Sequence, residues 1–462
     1  MKILIHSEKS VTIHIIRNIL LTFVYNNDIL ITKIMNKYML FGMENVMEIK
    51  REYYLNKLIE KETNGLIKIV TGIRRCGKSY LLNELFYNYL LSKGIKESHI
   101  IVVALDEVEN EHLLDPKELS KYVKSKIVDK EMYYILLDEI QLVDNFVALL
   151  NGFLRITNAD TYVTGSNSKF LSSDIVTEFR GRGDEIRVYP LSFSEFSSVY
   201  EDNAKAWKDY YTYGGLPLIL KQSNDEGKMD YLTSQTNNVY LNDVIERNKV
   251  QNKEELASLV EVISSSIGSL TNPNKLYNTF KSMGNLSITD KTINNYLGYL
   301  EEAFLIEKSN RYDVKGKKYI STPLKYYFTD VGIRNSLLNF RQQEESHIME
   351  NIIYIELKRR GFSVNVGVVE VREKNDDNTK TSKQLEIDFI ANKGNNKVYI
   401  QSVLNMPTEE KTTQEQRPLL NVNDSFKKII IVKDDIKRKR DDNGIITMGV
   451  YDFLLDIDSL DY

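Results

Sequence analysis

The sequence predicts an α/β fold built on a parallel sheet, and three observations predict it. A short apolar run, residues 66–71, leads directly into Gly-Ile-Arg-Arg-Cys-Gly-Lys-Ser at 72–79, and then into a stretch with helical periodicity at 80–91. A second apolar run, residues 133–137, ends in Asp138-Glu139. Between Met47 and about Leu191, apolar runs recur at 66–71, 100–105, 133–137, 161–164 and 186–188, with helical stretches between most of them. Strands that alternate with helices need crossover connections, which place helices on both faces of a parallel sheet.

The first element after the opening strand is a loop of the form G-x-x-x-x-G-K-S. Gly72 and Gly77 let backbone N–H groups close around phosphate oxygens. Lys78 is placed to reach the β- and γ-phosphates, and the Ser79 hydroxyl to ligate Mg²⁺. Arg74, Arg75, Cys76 and Tyr80 complete the surround of the loop. A helix starting at the loop adds the positive end of its dipole. The acidic pair that closes the 133–137 run complements the loop. Asp138 would hold the Mg²⁺ shell, and Glu139 would orient or deprotonate the attacking water. ATP and Mg²⁺ are therefore the expected substrate and cofactor.

The chain has 462 residues, too many for one core, so two to four domains are expected. Its 42% hydrophobic and 27% charged residues describe a soluble globular protein. A net charge of −4 gives no global reason for nucleic-acid binding, so any such contact needs a local patch. Cys76 is the only cysteine, which excludes an intrachain disulfide and suits a reducing cytoplasm. Its variable position in the loop reads as filler rather than as a nucleophile. The five histidines show no metal-ligand spacing.

Residues 1–46 differ in character from the rest of the chain. They are apolar but broken by Arg17, Asn26-Asn27-Asp28 and Lys33, and no run approaches the ~18–20 apolar residues that span a bilayer. They are expected to be an extension ahead of a start at Met43 or Met47. An amphipathic helix on a membrane surface is the alternative.

The fourth strand ends in Thr164-Gly165-Ser166-Asn167. A polar residue there, beside the acidic pair, can bond the γ-phosphate or the attacking water; a plain turn is the bland alternative. Phe179-Arg180-Gly181-Arg182-Gly183 comes next, just before the last strand. Arginines on a glycine-flanked loop suit an arginine finger that stabilises transition-state charge, or else a solvated loop.

These motifs, together with Leu136-Leu137-Asp138-Glu139-Ile140-Gln141 and Pro190-Leu-Ser-Phe-Ser-Glu-Phe196, resemble one group of prokaryotic AAA-type ATPases. The resemblance extends over about residues 47–455 and includes Tyr213-Gly-Gly-Leu-Pro217, Asn242-Asp-Val-Ile-Glu-Arg247 and Lys325-Tyr-Tyr-Phe-Thr-Asp330. It implies an AAA-type ATPase core at 47–192, a helical lid over the nucleotide at 193–255, a winged helix at 256–340 and a small α/β restriction-endonuclease-like domain at 341–462. It also implies nucleotide binding by Gly72, Gly77, Lys78 and Ser79, magnesium and water activation by Asp138 and Glu139, a sensor at Ser166-Asn167, and Arg182 as the finger.

In the winged-helix segment, helical stretches at 276–283 and 289–304 flank Gly284-Asn-Leu-Ser, with Thr289 or Asp290 as a cap, and a small hairpin follows. From Lys308 to Lys325 there are six cations (Lys308, Arg311, Lys315, Lys317, Lys318, Lys325) against one acid, Asp313. That excess suits phosphate contacts on DNA, with Lys291, Thr292, Asn294 and Asn295 of the second helix available to a groove. A protein-docking module is the alternative. In the last domain, Glu350, Asp388 and Gln401 occupy the positions of metal-holding residues in restriction-type nucleases, but Val403 stands where a cation is needed, so no cleavage is expected.

The function expected from these residues is an Mg²⁺-dependent ATPase that acts as a nucleotide-gated switch, with DNA through the winged helix and an unidentified protein client as the expected partners. It would be cytoplasmic and off the membrane, and a homo-oligomer if Arg182 acts on a neighbouring subunit. The alternatives are an ATP-binding protein-interaction module without DNA binding and an ATP-regulated nuclease.

Overall fold

The computed structural model describes residues 49–166, 181–282, 288–342, 344–374 and 380–461. The extension 1–46, Asn167, Phe179, Arg180 and the Gly284 turn lie outside the described residues. Lys50–Tyr462 form one compact unit.

The unit opens with α1 (Glu52–Glu60), which leads into β1 (Ile67–Thr71), whose five residues are all buried. After the loop come α2 (Lys78–Tyr80), a π-helical turn (Leu81–Phe86) and α3 (Tyr87–Ser92). Then follow β2 (Ile100–Ala104), α4 (Pro116–Lys126), β3 (Tyr133–Asp138), α5 (Phe146–Phe153), β4 (Ala159–Gly165) and β5 (Gly183–Arg187). Asp115 caps α4 by accepting from Lys117 N, with Pro116 supplying the first helical turn. The strands pair in the order β2-β3-β4-β1-β5, all parallel, a sheet typical of P-loop ATPases. Strands covered on both faces read as continuous apolar runs, which is why these segments show no alternation. The phosphate loop and the acidic pair both leave the carboxyl edge of this sheet, from β1 and β3 on either side of β4.

Helices follow: α6 (Phe193–Ser197), α7 (Asn203–Tyr213), α8 (Asp225–Gln235), a π-helical turn (Thr236–Leu241) and α9 (Asn242–Asn248). Next are α10 (Lys253–Ser265), a bridge between Thr271 and Leu324, α11 (Pro273–Ser282) and α12 (Asp290–Glu302), capped by Thr289. The hairpin β6 (Ile306–Asp313) and β7 (Lys318–Phe328) leads to α13 (Val331–Leu337) and α14 (Glu345–Arg359). The chain ends with β8 (Ser363–Lys374), β9 (Lys380–Lys393), β10 (Asn396–Val403), α15 (Glu409–Leu420), β11 (Lys427–Val432), β12 (Lys439–Arg440), β13 (Ile446–Gly449) and α16 (Val450–Leu455).

The hairpin expected as the wing is part of a larger sheet. β6 pairs in parallel with β8, so the second sheet is mixed and eight-stranded, in the order β12-β13-β11-β10-β9-β8-β6-β7. Packing is likewise continuous between the segment expected as a lid at 193–255 and the domain expected at 341–462. Phe193, Ala206 and Trp207 share one apolar cluster with α14, the second sheet and α16. The first two helices after the parallel sheet thus bury their apolar faces on the carboxy-terminal core.

Candidate nucleotide-binding site

Two glycines set the backbone of the loop. Gly72 (φ 143°) passes so close to the chain after β5 that a Cβ would lie 2.1 Å from the Val188 carbonyl oxygen. Gly77 (φ 97°) turns the chain into α2. The Lys78 ammonium is buried and donates to the carbonyls of Gly72 and Ile73, each at 3.0 Å, so it lies within the loop it serves. Cys76 is buried beneath the loop, its Sγ 3.5 Å from the Val188 carbonyl oxygen. Ser79 and Tyr80 are exposed at the start of α2.

The acidic pair stands beside the loop. Asp138, buried at the end of β3, accepts from Thr164 Oγ1 and from Asn83 Nδ2 at 3.3 Å, and the Ser79 hydroxyl stands near enough to favour its charged form. Burial pushes its carboxyl above the usual range, and the Thr164 and Ser79 hydroxyls only partly offset this. The Glu139 and Asp106 charges raise it further. A hydroxyl and a carboxylate near each other at such a point are a donor set that suits Mg²⁺.

Glu139 adopts φ 55°, left-handed and unusual for a residue with a Cβ. Its N–H donates to Thr164 Oγ1 at 2.9 Å, so one threonine orients both acids. Its Oε2 accepts from Gln141 Nε2 and, at 3.3 Å, from Ser166 Oγ. Strain of this kind persists only where the surroundings hold it, and here Thr164, Gln141 and Ser166 do so. Thr164 and Gln141 both lie in motifs of the sequence, which assigns neither of them the task of holding the acidic pair.

Arg51 is a further member of the site. Its buried guanidinium donates to the Cys76 carbonyl at 2.5 Å, the Tyr189 carbonyl at 2.7 Å and Glu195 Oε1 at 3.2 Å. Burial works against its charge, but Glu195, Tyr54 and Cys76 together outweigh burial and hold it protonated. Glu195 also forms a capping box with Ser192 at the start of α6, which gives Pro190-Leu-Ser-Phe-Ser-Glu-Phe196 a structural role. The helical segment reaches the loop through Arg74: its guanidinium lies 2.8 Å from Asp243 of α9, and its carbonyl accepts from the Tyr240 hydroxyl at 3.0 Å. Arg247 approaches the other oxygen of Asp243 at 3.6 Å and feels the charge of Glu139. Arg75 is exposed.

Arg182 is not gathered with these groups. It is exposed before β5, its carbonyl accepts from Ile67 N, and its side chain donates to Asn151 at 3.1 Å. It sits at the amino edge of the sheet, a five-residue strand, or about 16 Å, from the loop.

Among the cations expected on DNA, Lys315, Lys317 and Lys318 are exposed at the hairpin turn beside Tyr319, which is 65% exposed. Arg311 is buried and donates to Gln384 at 3.2 Å, and Lys308 pairs with Glu301 at 2.9 Å. Lys325 is buried among carboxylates. Charge counting along a strand cannot see that alternate residues face inward. Glu350 and Asp388 do approach each other around Lys325, whereas the Gln401 amide donates to Glu415 at 3.4 Å. Val403 packs in an apolar cluster with Val369, Ile390 and Leu419.

Residues 64–197 match a family model described as an AAA domain, and residues 204–344 one described as a domain of unknown function (DUF8612). An uncharacterized protein of Haemophilus influenzae is 33% identical over 414 residues, covering 88% of this chain and 98% of that protein. The chain belongs to this AAA-domain family. An uncharacterized protein of Methanocaldococcus jannaschii is 30% identical over 395 residues, covering 80% of this chain and 83% of that protein. Two solved structures are similar at low identity. The Walker-type ATPase of Pyrococcus abyssi is 16% identical with a TM-score of 0.46, over 65% of this chain and 99% of that one. The Orc1 protein of Aeropyrum pernix, in complex with DNA, is 13% identical with a TM-score of 0.29, over 63% and 92%. At those scores neither likeness bears on what this chain binds. The second family match runs from α7 to just before α14, across the boundary expected at 255/256. No helix among the described residues is long and apolar enough to cross a membrane.

Proposed function

We propose that this AAA-domain protein binds and hydrolyses ATP with Mg²⁺ at the loop 72–79. The observation that carries this reading is the placement of buried Asp138 beside the loop, held by Thr164 and Asn83, with Glu139 held alongside. Ser79 and Asp138 would hold Mg²⁺, which when bound neutralises charge on the phosphate oxygens. Lys78 gives up two loop carbonyls and donates to phosphate instead. Glu139, oriented by Thr164 and restrained by Gln141 and Ser166, accepts a proton from water. Arg247, at the edge of α9, brings a positive charge toward the same pocket in cis. Asn167 remains the proposed partner of Ser166 as sensor. The nucleotide state passes to the helical segment through Arg74 and Asp243, where it would act on a protein client.

The test is a pair of variants. Lys78→Ala should lose ATP binding, and Glu139→Gln should bind ATP with near wild-type affinity and hydrolyse it at least ~100-fold more slowly. Wild-type turnover by Glu139→Gln would reject the role given to that carboxylate.

A second reading is favoured by the order helix, bridge, two helices and hairpin, with exposed lysines at the turn: DNA binding by a winged helix. Lys315, Lys317 and Lys318, with Lys291, Asn294 and Asn295 exposed on α12, would make the contacts. Replacing the three lysines with alanine should weaken duplex DNA binding and flatten its salt dependence. An unchanged salt slope would favour the protein-docking alternative.

A further inference from the structure

The second sheet encloses a charged centre that the nucleotide site does not use. Lys325 of β7 is 3% exposed, and its ammonium lies 2.7 Å from Glu386 Oε1, 2.9 Å from Glu350 Oε1 and 4.0 Å from Asp388 Oδ1. Carboxylates from α14 and β9 thus converge on one cation. The same Glu350 oxygen accepts from the Tyr327 hydroxyl at 2.7 Å, and Asp388 Oδ2 accepts from Ser402 N at 2.8 Å. His347 Nδ1 stands 3.9 Å from Glu350 Oε2. The chain after α10 closes over the group. At Gly268 (φ +69°) a Cβ would lie 3.1 Å from Glu350 Oε2, so backbone packs directly against the carboxylate.

The resemblance to restriction-type nucleases implies a divalent metal on Glu350 and Asp388, and these residues do not fit one. The ammonium stands among the carboxylates that would have to face the metal. Among the described residues, no three His, Cys, Asp or Glu side chains form a group that could hold a metal ion. Gln401, the expected third ligand, donates its Nε2 to Glu415 at 3.4 Å, while its Oε1 is buried without a hydrogen-bond partner among the described residues. Carboxylate oxygens that hold a metal at ~2.1 Å cannot at the same time hold an ammonium at the same point. Sequence reasoning expected the centre to lack a cation because of Val403. The structure supplies one from β7, a strand the resemblance gave no role in that centre, and supplies it in the middle.

We infer that the Lys325 ammonium is the permanent cation of this centre and stands in for a divalent metal. Its role is to join α14, β7 and β9. A buried ammonium balanced by carboxylates from two other elements is costly to break, since removing one partner leaves like charges unpaired out of water. The centre therefore carries no metal-dependent phosphodiester chemistry, and a metal could enter it only after Lys325 left. This inference is independent of the ATPase reading, because neither Ser79 nor Asp138 takes part.

The test uses the full chain without nucleotide, with Mn²⁺ as the probe. Bound Mn²⁺ is measured by the loss of the free-ion electron paramagnetic resonance signal, and Tm is measured with and without the metal. Wild type and Asp388→Asn should bind the same amount of Mn²⁺. Lys325→Ala should melt several degrees lower than wild type, and Mn²⁺ should restore at least half of that loss by taking the vacated position. The double variant Lys325→Ala/Asp388→Asn should show no such recovery. One additional Mn²⁺ bound by wild type and lost in Asp388→Asn would overturn the inference. So would a Lys325→Ala protein whose Tm ignores Mn²⁺. If Lys325→Ala cannot be folded with or without metal, the comparison of wild type with Asp388→Asn decides.

Discussion

Replacing Arg51 with lysine should weaken ATP binding while leaving the fold intact. The guanidinium reaches three acceptors at once: the carbonyls of Cys76 and Tyr189 and the Glu195 carboxylate. A lysine ammonium keeps the charge but not the planar fork, so it cannot satisfy all three. One or two buried carbonyls lose their donor, at about 1–3 kcal/mol each, so a folding cost of about 1–6 kcal/mol is expected. For a unit of about 410 residues each kcal/mol lowers Tm by roughly 1 °C, so Tm should fall by roughly 1–6 °C, which leaves the variant folded at 25 °C. The effect on ATP comes from geometry. A trans peptide sets its C=O and N–H in opposite directions, so the arginine that pins the Cys76 carbonyl also aims the Gly77 N–H into the loop. Losing the aim of one phosphate-directed donor should weaken ATP binding about 10- to 100-fold, or about 1.4–2.8 kcal/mol. Titration with a fluorescent ATP analogue at 25 °C, beside a melting curve, separates the two effects. A lower Tm with ATP affinity within twofold of wild type would show that Arg51 supports the fold without positioning the loop.

Two other expectations can be checked with simple measurements. Because Arg182 is at the amino edge of the sheet, any action on phosphate must be on another subunit, so turnover per chain should rise with protein concentration and Arg182→Ala should remove that rise; concentration-independent turnover in wild type would reject the finger. Burial pushes the Asp330 carboxyl up to about 6 from 3.8, against three backbone N–H donors that lower it. The folded chain then keeps a proton between about pH 4 and 6 that the unfolded chain releases, so stability should fall by about 3 kcal/mol as pH rises through that window. Asp330→Asn should lack that part of the slope in Tm measured from pH 4.5 to 7.5, and identical slopes would refute the assignment.

The parts of the fold legible in the sequence are those written locally. Gly72 to Ser79 and Asp138-Glu139 are short motifs on predicted strand ends, and one parallel sheet brings them together. Arg51 was not legible, because its partners lie 25, 138 and 144 positions away and nothing distinguishes it from its basic neighbours. Lys325 was counted among the hairpin cations because charge along a sequence carries no record of burial. The joining of the hairpin to β8 depends on a register between residues such as Arg311 and Val366 that no local pattern specifies. The motif Tyr213-Gly-Gly-Leu-Pro217 was visible, but its reason was not. A Cβ on Gly214 would lie 2.1 Å from Asp330 Oδ1, and one on Gly332 would lie 2.1 Å from the Tyr213 carbonyl oxygen.

That pair of close approaches also limits how a nucleotide signal can travel. Gly215 links two parts of the chain: its carbonyl accepts from Leu191 N at 2.7 Å, and its N–H donates to Asp330 Oδ2 at 2.7 Å. Asp330 in turn caps α13 by accepting from Ile333 N at 3.1 Å. The joint between the parallel sheet and the second sheet is thus buried, hydrogen-bonded and in steric contact on both sides, and displacement there would break several buried hydrogen bonds together. The link between the loop and α9 is different. Arg74 and Asp243 form a partly exposed pair with side chains 39% and 19% accessible, worth about 0–1 kcal/mol, and Asp243 has Arg247 at 3.6 Å as a second partner. A phosphate that competes with Asp243 for Arg74 and Arg247 needs only that small energy to break this ion pair, which leaves the Tyr240 hydroxyl on the Arg74 carbonyl as the remaining tie. The expectation of a rearrangement among whole domains therefore narrows to movement of 242–248 over the loop, with the second sheet fixed. Hydrogen exchange that changed with ATP at 213–217 and 330–333 before it changed at 242–248 would contradict this order.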